Sequence, residues 1–248
     1  MPAEYLEGRH ALTEAIAANV PIEEVLVSAA AHSDKRVAEQ LRRIAKEGVK
    51  VRQVGNAELD KLSSHGAHQG VVARVKPYRY ATLGDLIAKS AGQNDALIIV
   101  CDHITDNGNF GAICRSAESV GAVGVLIPNK RSASVNAAAY KTSAGAVVHL
   151  PIAMEANIAR SLEKLKEEGY WVVGASEHAT QLLWDAPLSG RIALVMGSED
   201  KGISDLVLKK CDLTVALPQN GVIESLNVAQ ATTAMAYEWM RQCRDARS

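Results

Sequence analysis

The sequence predicts an α/β fold in which a small α/β domain precedes a larger domain built on an open parallel sheet. Two observations predict it. Beyond residue 96, short apolar runs alternate with helix-length amphipathic segments, and those runs are continuously apolar, as strands covered on both faces require. Before residue 80, shorter β-branched runs alternate with helical patterns.

In the first part, helices are expected at 6–18, 34–47 and 56–62 and strands at 25–28, 49–54 and 70–75. The segment KPYRY at 76–80 sets a proline between charges, and SAGQND at 90–95 follows a short helix-like piece. A linker is therefore expected at 77–94, between domains at 1–76 and 95–248. The second domain should place strands at 97–101, 123–127, 147–150, 171–175, 192–196 and 213–217, and helices at 111–120, 157–168, 204–210 and 226–240.

Composition excludes several classes. Lys and Arg number 27 against 28 Asp and Glu, so no whole-protein field attracts a polyanion and any nucleic-acid contact must be a local patch. Residues 1–80 are slightly basic, with 12 cations and 10 acids. Arg9, Lys35, Arg36, Arg42, Arg43, Lys46, Lys50, Arg52, Arg74, Lys76 and Arg79 offer phosphate contacts there, and Lys130, Arg131 and Lys141 would extend the track. With 3 Trp, 6 Tyr and 1 Phe, extensive base stacking is disfavoured against recognition of RNA shape and backbone. Cys101, Cys114, Cys211 and Cys243 form neither a CxxC pair nor a disulfide framework, which points to a reducing compartment without structural zinc. His65 and His68 have no acid or cysteine at ligand spacing, so no metal is expected. No apolar run reaches the ~18 residues of a membrane span, and the acidic N-terminus does not read as a signal peptide. A soluble cytoplasmic protein is expected.

Three glycine-bearing polar loops each follow an expected strand, at 102–111, 197–202 and 218–227. In open parallel sheets ligands bind outside the carboxyl ends of strands, so the three loops should face one crevice. A dinucleotide site fits poorly, because 108–111 (GNFG) supplies only half of GxGxxG and the next strand ends in PNKR, where the ribose of NAD wants an acid. A phosphate-binding P-loop fails as well, since 197–204 lacks Lys-Ser/Thr after the second glycine.

Residues 102–117 (DHITDNGNFGAICRSA), 194–204 (LVMGSEDKGIS) and 217–231 (LPQNGVIESLNVAQA) resemble the three motifs of the SpoU/TrmH branch of the SPOUT methyltransferases, in order and spacing. EYLEGRHA at 4–11 and HQGVVA at 68–73 resemble that family's N-terminal substrate-binding module, so the likeness covers nearly the whole chain. Among its members the RlmB-type enzymes are most similar; they methylate a guanosine 2′-oxygen of large-subunit ribosomal RNA. The resemblance implies an L30e-like substrate-binding domain followed by a domain whose C-terminal segment is threaded into a trefoil knot, an exception to the unknotted rule. It implies S-adenosylmethionine as methyl donor, held by Met196, Gly197, Leu217, Pro218, Ser225 and Leu226, and a homodimer formed through the knotted domain. It also implies a central role for Arg115, with Asn109, Glu199, Ser225 and Asn227 around it.

A guanidinium stays protonated in proteins, so the expected part of Arg115 is to grip the target phosphate and stabilise the developing alkoxide. Asn109 would orient Arg115, Glu199 would pair with a polar or cationic group, and Ser225 and Asn227 would meet the substrate. Plainer readings stand beside these. Asn109 and Ser225 are residue types that cap helices, Arg115 could pair with Glu118, and 199–201 reads as a polar turn. One departure from the family pattern is Asn107, where proline is usual; losing that fixed φ should loosen the loop. Other functional readings are a transfer-RNA ribose methylase and a catalytically silent RNA-binding relative.

Overall fold

A computed structural model describes residues 4–17, 19–63, 68–222 and 225–246, with the side chain of Ala137 excepted. The chain divides into two compact units, Met1–Arg79 and Tyr80–Ser248.

The first unit runs β1 (Glu4–Glu7), α1 (Arg9–Ala17), β2 (Ile22–Val27), α2 (Ala29–His32), α3 (Lys35–Lys46), β3 (Lys50–Gln53), α4 (Asn56–Leu62) and β4 (Val71–Val75). Its sheet has the order β1-β4-β2-β3, with β2 and β3 parallel and both pairs involving β4 antiparallel. Strand alternation sends Val25, Val27, Val71 and Ala73 to one face, under Leu12 of α1 and Val37, Leu41 and Ile44 of α3. Leu26 and Val72 point the other way and meet Leu59 of α4. The expected helix at 6–18 is corrected here. Glu4–Glu7 is a strand, and Gly8, at φ +96°, turns the chain before α1 begins.

The second unit runs α5 (Leu83–Lys89), β5 (Ala96–Asp102), α6 (Asn107–Ser119), β6 (Gly124–Pro128), α7 (Ala137–Thr142), β7 (Ile152–Glu155), α8 (Ile158–Glu167), β8 (Trp171–Ala175), β9 (Arg191–Gly197), α9 (Asp205–Leu208), β10 (Leu213–Val215) and α10 (Val228–Asp245). All its strand pairs are parallel, in the order β10-β8-β9-β5-β6-β7. Every residue of β5 and β6 is buried, which is why these runs carry no polar alternation. Residues 80–94, expected as a linker, are built into this unit. Ala81 bridges Ala153, and a Thr82–Asp85 capping box starts α5, which buries Leu83 and Leu86. The strand expected at 147–150 is also corrected: Ala146–Val148 is a single 3-10 turn, and pairing with β6 starts only after Pro151.

The winding positions the site. From β5 the chain steps outward to β6 and β7, then crosses to β8 and returns inward to β9, which lies against β5. The direction of winding therefore reverses between β5 and β9, and such a reversal opens a crevice at the carboxyl ends of the two strands.

Candidate active site

The loops after β5, β9 and β10 meet at this edge. Asp106 caps α6, its carboxylate accepting the Asn109 amide at 2.6 Å, so Asn109 lies in the first helical turn with its side chain free of capping duty. Asn227 caps α10, its Oδ1 accepting the Ala229 and Gln230 amides at 2.9 and 3.4 Å. That duty fixes which way its carboxamide faces. The Nδ2 group donates to Asn109 Oδ1 at 2.9 Å and to Glu199 Oε1 at 2.8 Å, while Asn109 Nδ2 donates to the same Glu199 oxygen at 2.8 Å. Three residues remote in sequence thus close a hydrogen-bonded ring, in which Glu199 and Asn227 are exposed to solvent and Asn109 is half-buried.

Two further contacts hold the ring's supports. Asp102, fully buried at the end of β5, accepts the Ser204 amide through Oδ2 at 2.7 Å and meets His103 Nδ1 through Oδ1 at 2.7 Å. The loop after β9 is thereby fastened to β5. Gly197 begins that loop, and a Cβ there would stand 2.1 Å from the Gly202 carbonyl carbon, because the chain folds back to bridge Ser198 with Gly202. On the helical side, Ser116 Oγ of α6 and Thr233 Oγ1 of α10 are 2.6 Å apart. Gly111 lets α7 approach α6; a Cβ there would lie 1.9 Å from Thr142 Oγ1.

The side chain of Arg115 is exposed on α6 and makes neither an ion pair nor a hydrogen bond with any described residue, Glu118 included. Asn109 bonds Glu199 and Asn227 rather than orienting Arg115. The capping roles considered for Asn109 and Ser225 belong instead to Asp106 and Asn227. Ser225 is exposed, close in sequence to Asn227, and its side chain bonds no described residue.

Among the residues expected to hold a cofactor, Met196 is buried, Gly197 and Leu217 are half-buried, and Pro218 and Leu226 are exposed, Leu226 at 47%. The backbone polar groups of Leu217 and Leu226 make no hydrogen bond with a described residue. An apolar rim with unused backbone donors and acceptors fits a ligand that joins an aromatic base to polar substituents.

Asn107 does not loosen its loop. Its Oδ1 accepts the Ser134 amide at 3.1 Å, tying the start of α6 to the segment after β6, which a proline side chain would not do. Asp102 and Asn107 were not singled out from sequence as supports. For Asp102 the available signal was an acid ending an otherwise apolar strand.

Burial pushes the Cys101 thiol up to about 12 and Cys114 well above its ordinary value, so neither cysteine is a thiolate nucleophile at neutral pH. Of the two histidines weighed as a metal pair, His65 lies outside the described residues. His68 contacts Asp60 through Nε2 at 2.9 Å and accepts the Gly70 amide through Nδ1 at 3.0 Å. Among the described residues no cluster of three His, Cys, Asp or Glu is placed to hold a metal ion. No described helix is long and apolar enough to cross a membrane.

Comparison with known proteins places this geometry. Residues 96–237 match the SpoU rRNA Methylase family, and residues 5–81 match the family described as RNA 2′-O ribose methyltransferase substrate binding. An uncharacterized tRNA/rRNA methyltransferase of Mycolicibacterium paratuberculosis is 39% identical over 241 residues, covering 97% of this chain and 78% of that protein. The crystal structure of the SpoU methyltransferase AviRb from Streptomyces viridochromogenes, in complex with AdoMet, is 26% identical with a TM-score of 0.69, covering 97% of this chain and 90% of that one. A crystal structure of an RNA 2′-O ribose methyltransferase is 25% identical with a TM-score of 0.62, covering 97% and 88%.

Proposed function

This chain belongs to the SpoU rRNA Methylase family of RNA 2′-O ribose methyltransferases, and on that premise we propose that it methylates the ribose 2′-oxygen of a guanosine in large-subunit ribosomal RNA. The methyl donor is S-adenosylmethionine, whose sulfonium supplies the electrophilic methyl group. The observation that carries the reading is the ring of Asn109, Glu199 and Asn227, assembled from three loops on the helix that also bears an unpaired Arg115.

In this reading each residue has a task. Arg115 holds a phosphate beside the target ribose, because its guanidinium is a permanent two-pronged donor and has no carboxylate of its own to hold. As the 2′-oxygen gains anionic character, the same cation stabilises it. Glu199 and Asn227 fix the relative position of the loops after β9 and β10, and Asn109 anchors both to α6. Met196, Gly197, Leu217, Pro218, Ser225 and Leu226 line the donor's place, Leu217 and Leu226 offering backbone groups that are otherwise unused. The proton leaves to the phosphate, to Glu199 or to water.

The same reading makes residues 1–76 the RNA-binding domain, gives the second unit a trefoil knot and homodimer formed through it, and places the enzyme in the cytoplasm. Support for the knot is the path of the last helix: β10 is at the sheet's edge, yet α10 lies on α6, which follows the central strand β5.

The test uses total RNA, ribosomal and transfer, from a strain lacking this protein, incubated with the purified chain and labelled S-adenosylmethionine, followed by mapping of 2′-O-methyl positions. One new methylated guanosine in the large-subunit RNA is expected. Label entering transfer RNA instead overturns the ribosomal assignment, and no transfer to any RNA overturns the enzymatic reading.

A further inference from the structure

The first unit carries many cations, but their surroundings differ, and that difference selects a face. Lys50, Arg52 and Arg74 converge on Glu24, whose side chain is 9% exposed, at 3.6, 3.4 and 3.7 Å. Arg52 is also held by Glu58 at 2.8 Å and Arg74 by Glu23 at 3.3 Å. On the helical side, Arg9 pairs with Asp34 at 3.0 Å and Arg43 with Glu47 at 3.6 Å. These charges are already balanced, so a phosphate gains less from them.

Lys35, Arg42 and Lys46 of α3 are different. All three are exposed, and none of their side chains makes an ion pair or hydrogen bond with a described residue. At 3.6 residues per turn they fall within an arc of about 40°, and their spacing spans about 16 Å along the helix. The buried residues Val37, Leu41 and Ile44 occupy the opposite side, so the stripe points directly away from the unit's core. Glu39 is the one acid within α3.

We propose that this stripe is the docking face for the RNA backbone, with Lys35, Arg42 and Lys46 each meeting a phosphate, and that the α4 side of the sheet is not. The proposal rests on the methyltransferase reading and names the surface by which the substrate is held. RNA is the occupant because the stripe is an extended row of unbalanced positive charge with no aromatic side chain in it, suited to a polyanion bound by its backbone.

The test is the affinity of the full chain for a fluorescently labelled fragment of large-subunit ribosomal RNA, measured by anisotropy across a salt series. Substituting Lys35→Gln, Arg42→Gln and Lys46→Gln together should lower the slope of log affinity against log salt by about 2 to 3, because each phosphate contact contributes roughly 0.7–0.9. Melting temperature and S-adenosylmethionine binding should stay as in the wild type. Glu39→Gln should tighten RNA binding, and Lys50→Gln, at a lysine already paired with Glu24, should leave the slope unchanged. A triple variant with the wild-type slope, or a slope lowered by Lys50→Gln, overturns the α3 assignment alone. A wild-type chain that binds no RNA overturns the methyltransferase reading along with it.

Discussion

At the scale of single residues, the site separates groups that hold the architecture from groups left available. Arg115 is the clearest of the second kind, an exposed guanidinium with no partner among the described residues. Arg115→Ala should therefore cost nothing in melting temperature and leave S-adenosylmethionine affinity within about twofold. Methyl transfer should fall by about 10²-fold or more, the scale expected when a donor to a developing oxyanion is removed. Wild-type turnover in that variant would remove Arg115 from the mechanism. Asn227 does both jobs, and two substitutions divide them. Asn227→Ala removes the α10 cap and should destabilise the unit by about 1 kcal/mol. Asn227→Asp keeps an acceptor for the Ala229 amide but replaces the donating Nδ2 with a carboxylate oxygen facing Glu199 Oε1. Helicity should persist while turnover drops at least about tenfold, since like charges repel where a hydrogen bond stood. An aspartate variant of full activity would show that the ring is only scaffolding.

At the scale of elements, what the sequence discloses depends on how each element is stabilised. β5, β6, β8 and β9 were legible because burial on both faces leaves an unbroken apolar run. The turn at Ala146–Val148 imitates that signal, since two valines in a short apolar run suit a strand or a buried turn equally. β1 hid beside a helical pattern because Leu12, Ala15 and Ile16 keep helical spacing, while a four-residue strand before the Gly8 turn is too short to show a clear alternation of its own. The three site loops were legible as glycine-bearing segments after strands. Their hydrogen-bond partners were not, because pairing Asn109 with Glu199 and Asn227 depends on strand order, which no local pattern encodes. Asn107 shows the same limit: its substitution for proline suggested looseness, whereas its carboxamide holds Ser134. Asn107→Pro should therefore preserve α6, since proline is welcome at the first helical position. Amide exchange at Ser134 should accelerate, and unchanged protection there would show that Asn107 does not hold this segment.

At the scale of the whole molecule, the division of the chain into two units makes ligand linkage a test of where the donor binds. A ligand that binds only the folded second unit stabilises that unit in proportion to the logarithm of its concentration. At one hundred times its dissociation constant the gain is about 2.7 kcal/mol. Hydrogen exchange of the full chain with and without S-adenosylmethionine should then show added protection in the loops at 196–204 and 216–222 and in the start of α10. Ser204, whose amide is held by Asp102, is a sensitive reporter because it reads the closure of the loop after β9 onto β5. The strands and helices of the first unit should exchange at their original rates, because nothing in the donor's proposed place draws on residues 4–79. Protection appearing there instead, or confined to the amino-terminal edge of the six-stranded sheet, would move the donor away from the crevice where β5 and β9 reverse the winding and would separate the ring from the chemistry assigned to it.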